Sequence, residues 1–161
     1  MGPTDANAGG FVHGGVVMKL IDEVAGVAAV RHSHSRVVTA GADRLTFLSP
    51  IHVGDLVTLR GSVNAAWRTS MEVGVRVESE NPRTGEVRHT NSAYLTMVAI
   101  DEDGRPIPVP TLVASSPEDR RREAEAQLRR ANRLAEREQI VERRAREEAA
   151  EVPEPAGDRE D

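Results

Sequence analysis

The chain has 161 residues, a formal net charge of −5 and no cysteine. One domain with an appendage is the expected organisation, and disulfides, thiolate metal sites and cysteine nucleophiles are excluded. The mild acidity and the presence of only four aromatic residues, Phe11, Phe47, Trp67 and Tyr94, argue against a nucleic-acid partner. The longest apolar stretch carries Lys19, Asp22 and Glu23, so no membrane span is expected. The opening Met1-Gly-Pro-Thr-Asp5 lacks the basic and apolar regions of a secretory signal, and the expected location is cytoplasmic.

Residues 5–10, Asp-Ala-Asn-Ala-Gly-Gly, read as a loop. His13-Gly14-Gly15 then opens a run that is apolar at almost every position, predicting a buried helix from about Gly14 to Arg31. On such a helix Asp22 shares its face with Met18, Ala25, Gly26 and Ala29. An ionised carboxylate in that company is costly unless compensated, which makes Asp22 a candidate for chemistry. Lys19 and Glu23 are spaced to pair with each other, leaving Asp22 without that lysine.

A tract rich in β-branched residues follows from Arg36 to Leu48, and Pro50 with Gly54-Asp55 marks a turn. Residues 56–66 alternate apolar and polar. Residues 71–78 alternate more cleanly, with Met71, Val73, Val75 and Val77 on one face and Glu72, Gly74, Arg76 and Glu78 on the other. Asn81-Pro-Arg-Thr-Gly85 has hairpin-loop chemistry and leads to a returning strand over 86–100. Pro106, Pro108 and Pro110 exclude regular structure beyond it. One apolar helix followed by strands on short links predicts an α+β fold, an antiparallel sheet curled around the helix, with edges that dimerisation would cover.

The composition changes near Ser115. Ser116 is a suitable cap, Pro117 fits a first helical position, and Glu118-Asp119 suit the positive end of the helix dipole. A helix is expected from there to about Ala150. Its Leu128, Leu134, Ile140 and Val141 keep no heptad, so a solvated helix is favoured over an oligomer contact. Residues 152–161 are expected to be disordered. The folded body is taken as residues 1–112 and the charged helical tail as 113–161.

Three elements within sixteen residues carry possible chemistry. Gly14 and Gly15 allow close approach to the backbone, and open N–H groups at a helix start hold a developing oxyanion. Asp22 is suited to activate water or to attack a carbonyl itself. A side-chain amide such as Asn7 would orient that water. Each residue also has a plain structural reading: tight packing for Gly14 and Gly15, capping or packing for His13, a local polar partner for Asp22. His32 and His34 lack metal-ligand spacing, so no metal site is expected.

The segments Asn7-Ala-Gly-Gly-Phe-Val-His-Gly-Gly15 and Met18-Lys-Leu-Ile-Asp22-Glu-Val-Ala-Gly26 resemble the hotdog-fold acyl-CoA thioesterases, nearest to the brain-type cytosolic acyl-CoA hydrolases and their bacterial relatives. Arg31-His32, Val38-Thr39-Ala40, Phe47, Pro50-Ile51 with Gly54-Asp55, Thr69 to Val73 and Asp103 to Pro110 follow in matching order. The resemblance spans roughly residues 5–112. It implies a hotdog fold, dimerised edge to edge and assembling further into hexamers as trimers of dimers. It also implies hydrolysis of fatty acyl-CoA to a fatty acid and coenzyme A with no cofactor and no metal. The family's catalytic aspartate falls on Asp22 and its loop asparagine on Asn7, meeting across the dimer interface, with oxyanion donors near Gly14 and Gly15. Family members carry another strand ahead of the asparagine loop, and that strand is expected to be missing here. Two other functions compete: a non-catalytic acyl-CoA-binding or regulatory module on the same fold, and a hydratase. The hydratase would need an Asp–His pair, for which Asp5 and His13 are poorly spaced.

Overall fold

A computed structural model of the protein describes residues 1–151, with side chains through residue 147. After a 3-10 turn at Pro3–Asp5, helix α1 spans Gly14–Ser33. Strands β1 (Arg36–Ala42), β2 (Leu56–Ala66), β3 (Ser70–Glu80) and β4 (Val87–Ile100) follow, then helix α2 (Pro117–Glu151). The strands form one antiparallel sheet in the order β1-β4-β3-β2. One compact unit comprises residues 1–123, and a second begins at Ala124, within α2.

The alternation in β3 decides the core. Met71, Val73, Val75 and Val77 are fully buried, opposite Met97, Leu95, Ala93 and Asn91 of β4. Val17, Ile21, Ala25 and Ala29 of α1 pack in the same cluster. Burying a valine or methionine side chain contributes about 1.5–3 kcal/mol, so this helix-to-sheet interface dominates stability. The approach is close at Gly61 of β2: a Cβ there would lie 2.8 Å from Val24 Cγ1. The helix ends on His34, whose φ of 53° is left-handed and whose N–H donates to Val30 O at 2.8 Å.

Three sequence expectations change. The apolar helix is not buried all round: Met18 is 53% and Val27 60% exposed, so apolar side chains on both margins of its buried stripe are uncovered in the single chain. The tract expected to stay extended to Leu48 leaves the sheet after Ala42, and the chain from Asp43 to Ile51 runs as coil, tied to β4 by Asp43 N–H to Tyr94 O and Leu48 N–H to Thr90 O. The outward face of β3 is not uniformly solvated. Glu72 is fully buried and accepts from Asn64 Nδ2 at 3.2 Å. Further along that face, Arg76 and Arg60 hydrogen-bond Glu78 and hold its carboxyl below the ordinary carboxylate range.

The start of α2 follows expectation. Ser116 Oγ accepts from Asp119 N–H, and Ser116 N–H donates to Asp119 Oδ2, both at 3.0 Å, a reciprocal capping box. Residues 152–161, expected to be disordered, lie outside the described residues.

Candidate active site

Asn7 sits in a turn that its own side chain closes. Its Oδ1 accepts from Gly9 N–H at 2.9 Å and from Phe11 N–H at 3.2 Å. Its backbone N–H donates to Phe11 O at 2.7 Å, and Gly10 takes the positive φ of 79° that the turn needs. Two backbone donors on Oδ1 fix which way the amide faces. The side-chain Nδ2 is left as the outward group, a hydrogen-bond donor.

His13 caps α1. Its Nδ1 accepts from Gly15 N–H at 3.0 Å, and Val16 N–H donates to His13 O at 2.9 Å. The two glycines therefore differ. Gly15 N–H is occupied by the cap, whereas Gly14 N–H has no acceptor among the described residues. Gly14 and Asn7 share a cleft of about 350 Å³, walled also by Phe11, Phe47 and Ile51. The Phe47 ring lies over Gly14, where a Cβ would meet it at 3.5 Å.

Asp22 is two turns further along and is not among the walls of that cleft. It lies exposed at the margin of the buried helix stripe, on the flank facing β1. Ala25 and Ala29 beside it are buried, while Met18 is not, so the expected shared buried face divides at Asp22. Thr39 Oγ1–H donates to Asp22 Oδ1 at 2.5 Å. The threonine is set by β1, whose register shifts by one residue directly after it, between Thr39 and Gly41. A hydroxyl on Oδ1 fixes the carboxylate plane and leaves Oδ2 open. Lys19 and Glu23 pair at 3.7 Å, as expected.

Within one chain, then, two half-sites are separate: Asn7 with Gly14, and Asp22 with Thr39. Thr39 escaped the sequence reading as a site residue because it is seventeen positions from Asp22 and on another element. Its only signal was its place in the Val38-Thr39-Ala40 segment. Among the described residues no cluster of His, Asp or Glu has the arrangement of a metal site, and no helix is long and apolar enough to cross a membrane.

A family profile described as "Thioesterase superfamily" matches residues 9–86. Protein VdlD of Helicobacter pylori is 46% identical over 108 residues, covering 67% of this chain and 62% of that protein. Among solved structures, an apo-hexameric acyl-CoA thioesterase superposes with a TM-score of 0.82 at 44% identity, covering 84% of this chain and 87% of the other. The acyl-CoA hydrolase of Staphylococcus aureus, in complex with butyryl coenzyme A, coenzyme A and coenzyme A disulfide, gives 0.81 at 32% identity over 94% and 91% of the two chains. The matched region spans about six tenths of the Helicobacter protein and 32% of the rat cytosolic acyl coenzyme A thioester hydrolase. With the helix seated on an antiparallel sheet as in these structures, the chain belongs to the hotdog-fold acyl-CoA thioesterases of the thioesterase superfamily.

Proposed function

We propose that the protein hydrolyses fatty acyl-CoA to a free fatty acid and coenzyme A. The observation that carries this reading is the Thr39–Asp22 hydrogen bond of 2.5 Å, which holds one carboxylate oxygen and leaves the other available on an open helix flank. The spacing of the pair also has a counterpart. Variants of the Staphylococcus aureus hydrolase replace an asparagine, an aspartate and a threonine with alanine, at positions fifteen and seventeen residues apart. Asn7, Asp22 and Thr39 have the same separations.

In the favoured mechanism Asp22 accepts a proton from water as the water oxygen bonds to the thioester carbonyl carbon. The carbonyl oxygen becomes an oxyanion, received by Gly14 N–H and by the Asn7 Nδ2 donor. The carbon–sulfur bond then breaks, and the proton held by Asp22 passes to the departing thiolate. Direct attack by Asp22, through an acyl-aspartyl anhydride that water opens, is the variant mechanism. Gly15 is retained for the close approach it permits, since its N–H already serves the His13 cap. The two half-sites are completed across a homodimer, with Asn7 from one protomer facing Asp22 of the other. The uncovered flank of α1 around Met18 and the exposed edge β1 suit such a partner. Hexamers built as trimers of dimers extend the same reading, with a cytoplasmic location.

The test is thiol release from a panel of acyl-CoA esters by the wild type and Asp22→Ala. Turnover that persists in Asp22→Ala removes the mechanism; tight acyl-CoA binding by a wild type without turnover would favour the regulatory-module alternative. In a single turnover in labelled water, label found in Asp22 establishes the anhydride route with water entering at the aspartyl carbonyl, because direct water attack leaves Asp22 unlabelled.

A further inference from the structure

His13 joins the two donors of the Asn7–Gly14 half-site. Its backbone N–H donates to Asp5 O at 2.7 Å, and inside that closure Ala6 bridges to Val12, so the strip of chain carrying Asn7 is tied to the helix start. Val12 is anchored in turn, its N–H donating to Ile51 O at 2.9 Å. His13 is then the N-cap of α1, with Gly14 and Gly15 as the first two helical positions. These main-chain bonds need no particular side chain, and the ring remains to be explained.

Two successive peptide planes decide where Gly14 N–H points. The first holds His13 C=O and Gly14 N–H, which face opposite ways in a trans peptide. His13 O accepts from Val16 N–H at 2.9 Å, toward the helix, so Gly14 N–H is turned out of the helix end. The second plane carries Gly15 N–H, and the His13 ring holds it through Nδ1 at 3.0 Å. Nδ1 is therefore the lone-pair nitrogen of the ring. Glycine is the poorest helix former after proline, so two in succession leave this first turn prone to fray without a side-chain hold.

Gly15 is shaped for that ring. A Cβ on Gly15 would lie 3.2 Å from His13 Nδ1 and 3.5 Å from Cε1, a crowded position. A Cβ on Gly14 would meet the Phe47 ring at 3.5 Å, an ordinary contact. Helices favour Ser, Thr, Asp or Asn as N-caps, so a histidine with a glycine making room for it is a specific pairing. We propose that His13 is the positioning residue of the oxyanion site: its ring pins the Gly15 peptide, and Gly14 N–H and Asn7 Nδ2 are thereby presented together. This role rests on the hydrolase reading, because an oxyanion is what the two donors would receive; the ring–Gly15 hold does not.

The experiment measures kcat and KM for an acyl-CoA in wild type, His13→Ala, His13→Asn, Gly15→Ala and the double variant of His13→Ala with Gly15→Ala, each below its own thermal midpoint. In His13→Ala kcat should fall roughly tenfold, about 1.4 kcal/mol of barrier, with KM little changed. Asparagine Oδ1 stands as many bonds from Cα as histidine Nδ1, so His13→Asn keeps the acceptor without a titratable ring and should recover most of the loss. Gly15→Ala should lose kcat as His13→Ala does, and the double variant should lose no more than the worse single one. Wild-type kcat in His13→Ala overturns the assignment. So does His13→Asn as slow as His13→Ala, since the ring would then act by proton transfer, and so does a double variant whose loss is the product of the single losses. Amide exchange at the two glycines, followed by NMR of glycine-labelled protein, needs no turnover. Gly15 should exchange more slowly than Gly14 and lose that protection in His13→Ala but not in His13→Asn. This pattern in a wild type that hydrolyses no acyl-CoA overturns the hydrolase reading and leaves the hold standing. Equal exchange at both glycines in a wild type that does hydrolyse it overturns the hold and leaves the hydrolase reading standing.

Discussion

Replacing Thr39 by valine isolates one hydrogen bond. Valine keeps the branched shape that suits a strand and removes only the hydroxyl. That hydroxyl donates to Asp22 Oδ1 at 2.5 Å, with Met97 Sδ a weaker neighbour at 3.5 Å. Hydrogen bonds to charged groups contribute about 1.5–3 kcal/mol. Thr39 and Asp22 are both exposed in the single chain, which places this one toward the lower end. About 1.5 kcal/mol withdrawn from the transition state lowers kcat roughly tenfold. The fold should barely respond, since an exposed substitution of this kind changes stability by about 0.5 kcal/mol or less. The assay is kcat for acyl-CoA hydrolysis beside the thermal midpoint, with Thr39→Ser as the variant that restores the donor. Wild-type turnover in Thr39→Val, or a loss that Thr39→Ser shares in full, would refute Thr39 as the residue that positions Asp22.

His34→Gly should raise the thermal midpoint, because the left-handed backbone at φ 53° strains a residue with a Cβ. A gain of about 0.5–1 kcal/mol is expected; a lowered midpoint in a melting curve would refute it. The Asp119 carboxyl is held well below the ordinary range by the Ser116 hydroxyl, then by Arg122 and by Ser116 N–H. Its unfolded value is about 3.9. The stabilisation is therefore complete above roughly pH 4 and is lost as pH falls below that toward the depressed folded value. Circular dichroism of Asp119→Asn should show lower helicity at neutral pH and a flatter acid decline than the wild type; parallel acid profiles would count against the capping box.

Much of the fold is legible because local chemistry agrees with it. The period-two pattern of 71–78 gave the central strand and its inward face, and the Asn81–Gly85 turn gave its hairpin. Ser116-Pro117 located the start of the second helix. The misreadings share a cause: pattern reports that a surface will be covered, never by what. The all-round apolar pattern of α1 predicted burial, yet Met18 and Val27, on opposite margins of its buried stripe, are open in one chain. Glu72 was assigned to solvent because alternation cannot detect a buried amide such as Asn64 beside it. For the site, Asp22 and Asn7 were visible as anomalies of composition and as members of a resembling motif. Thr39 was not, because pairing between a helix and a strand depends on where the helix lands on the sheet. Gly14 and Gly15 were indistinguishable until the His13 ring selected one of their N–H groups.

The Asn7 turn has a consequence for how the protein ages. Its Oδ1 is engaged by two backbone donors and its nitrogen points away. An aspartate would accept those same donors, so conversion of the amide to a plain aspartate, without rearrangement of the backbone, leaves the turn's hydrogen bonds in place. The outward face alone would change, from a donor to an anion. Such a lesion is silent to melting curves and spectroscopy of the fold. It would appear only as a new acidic species on a charge-resolving column, with ligand affinity lost in proportion to its abundance.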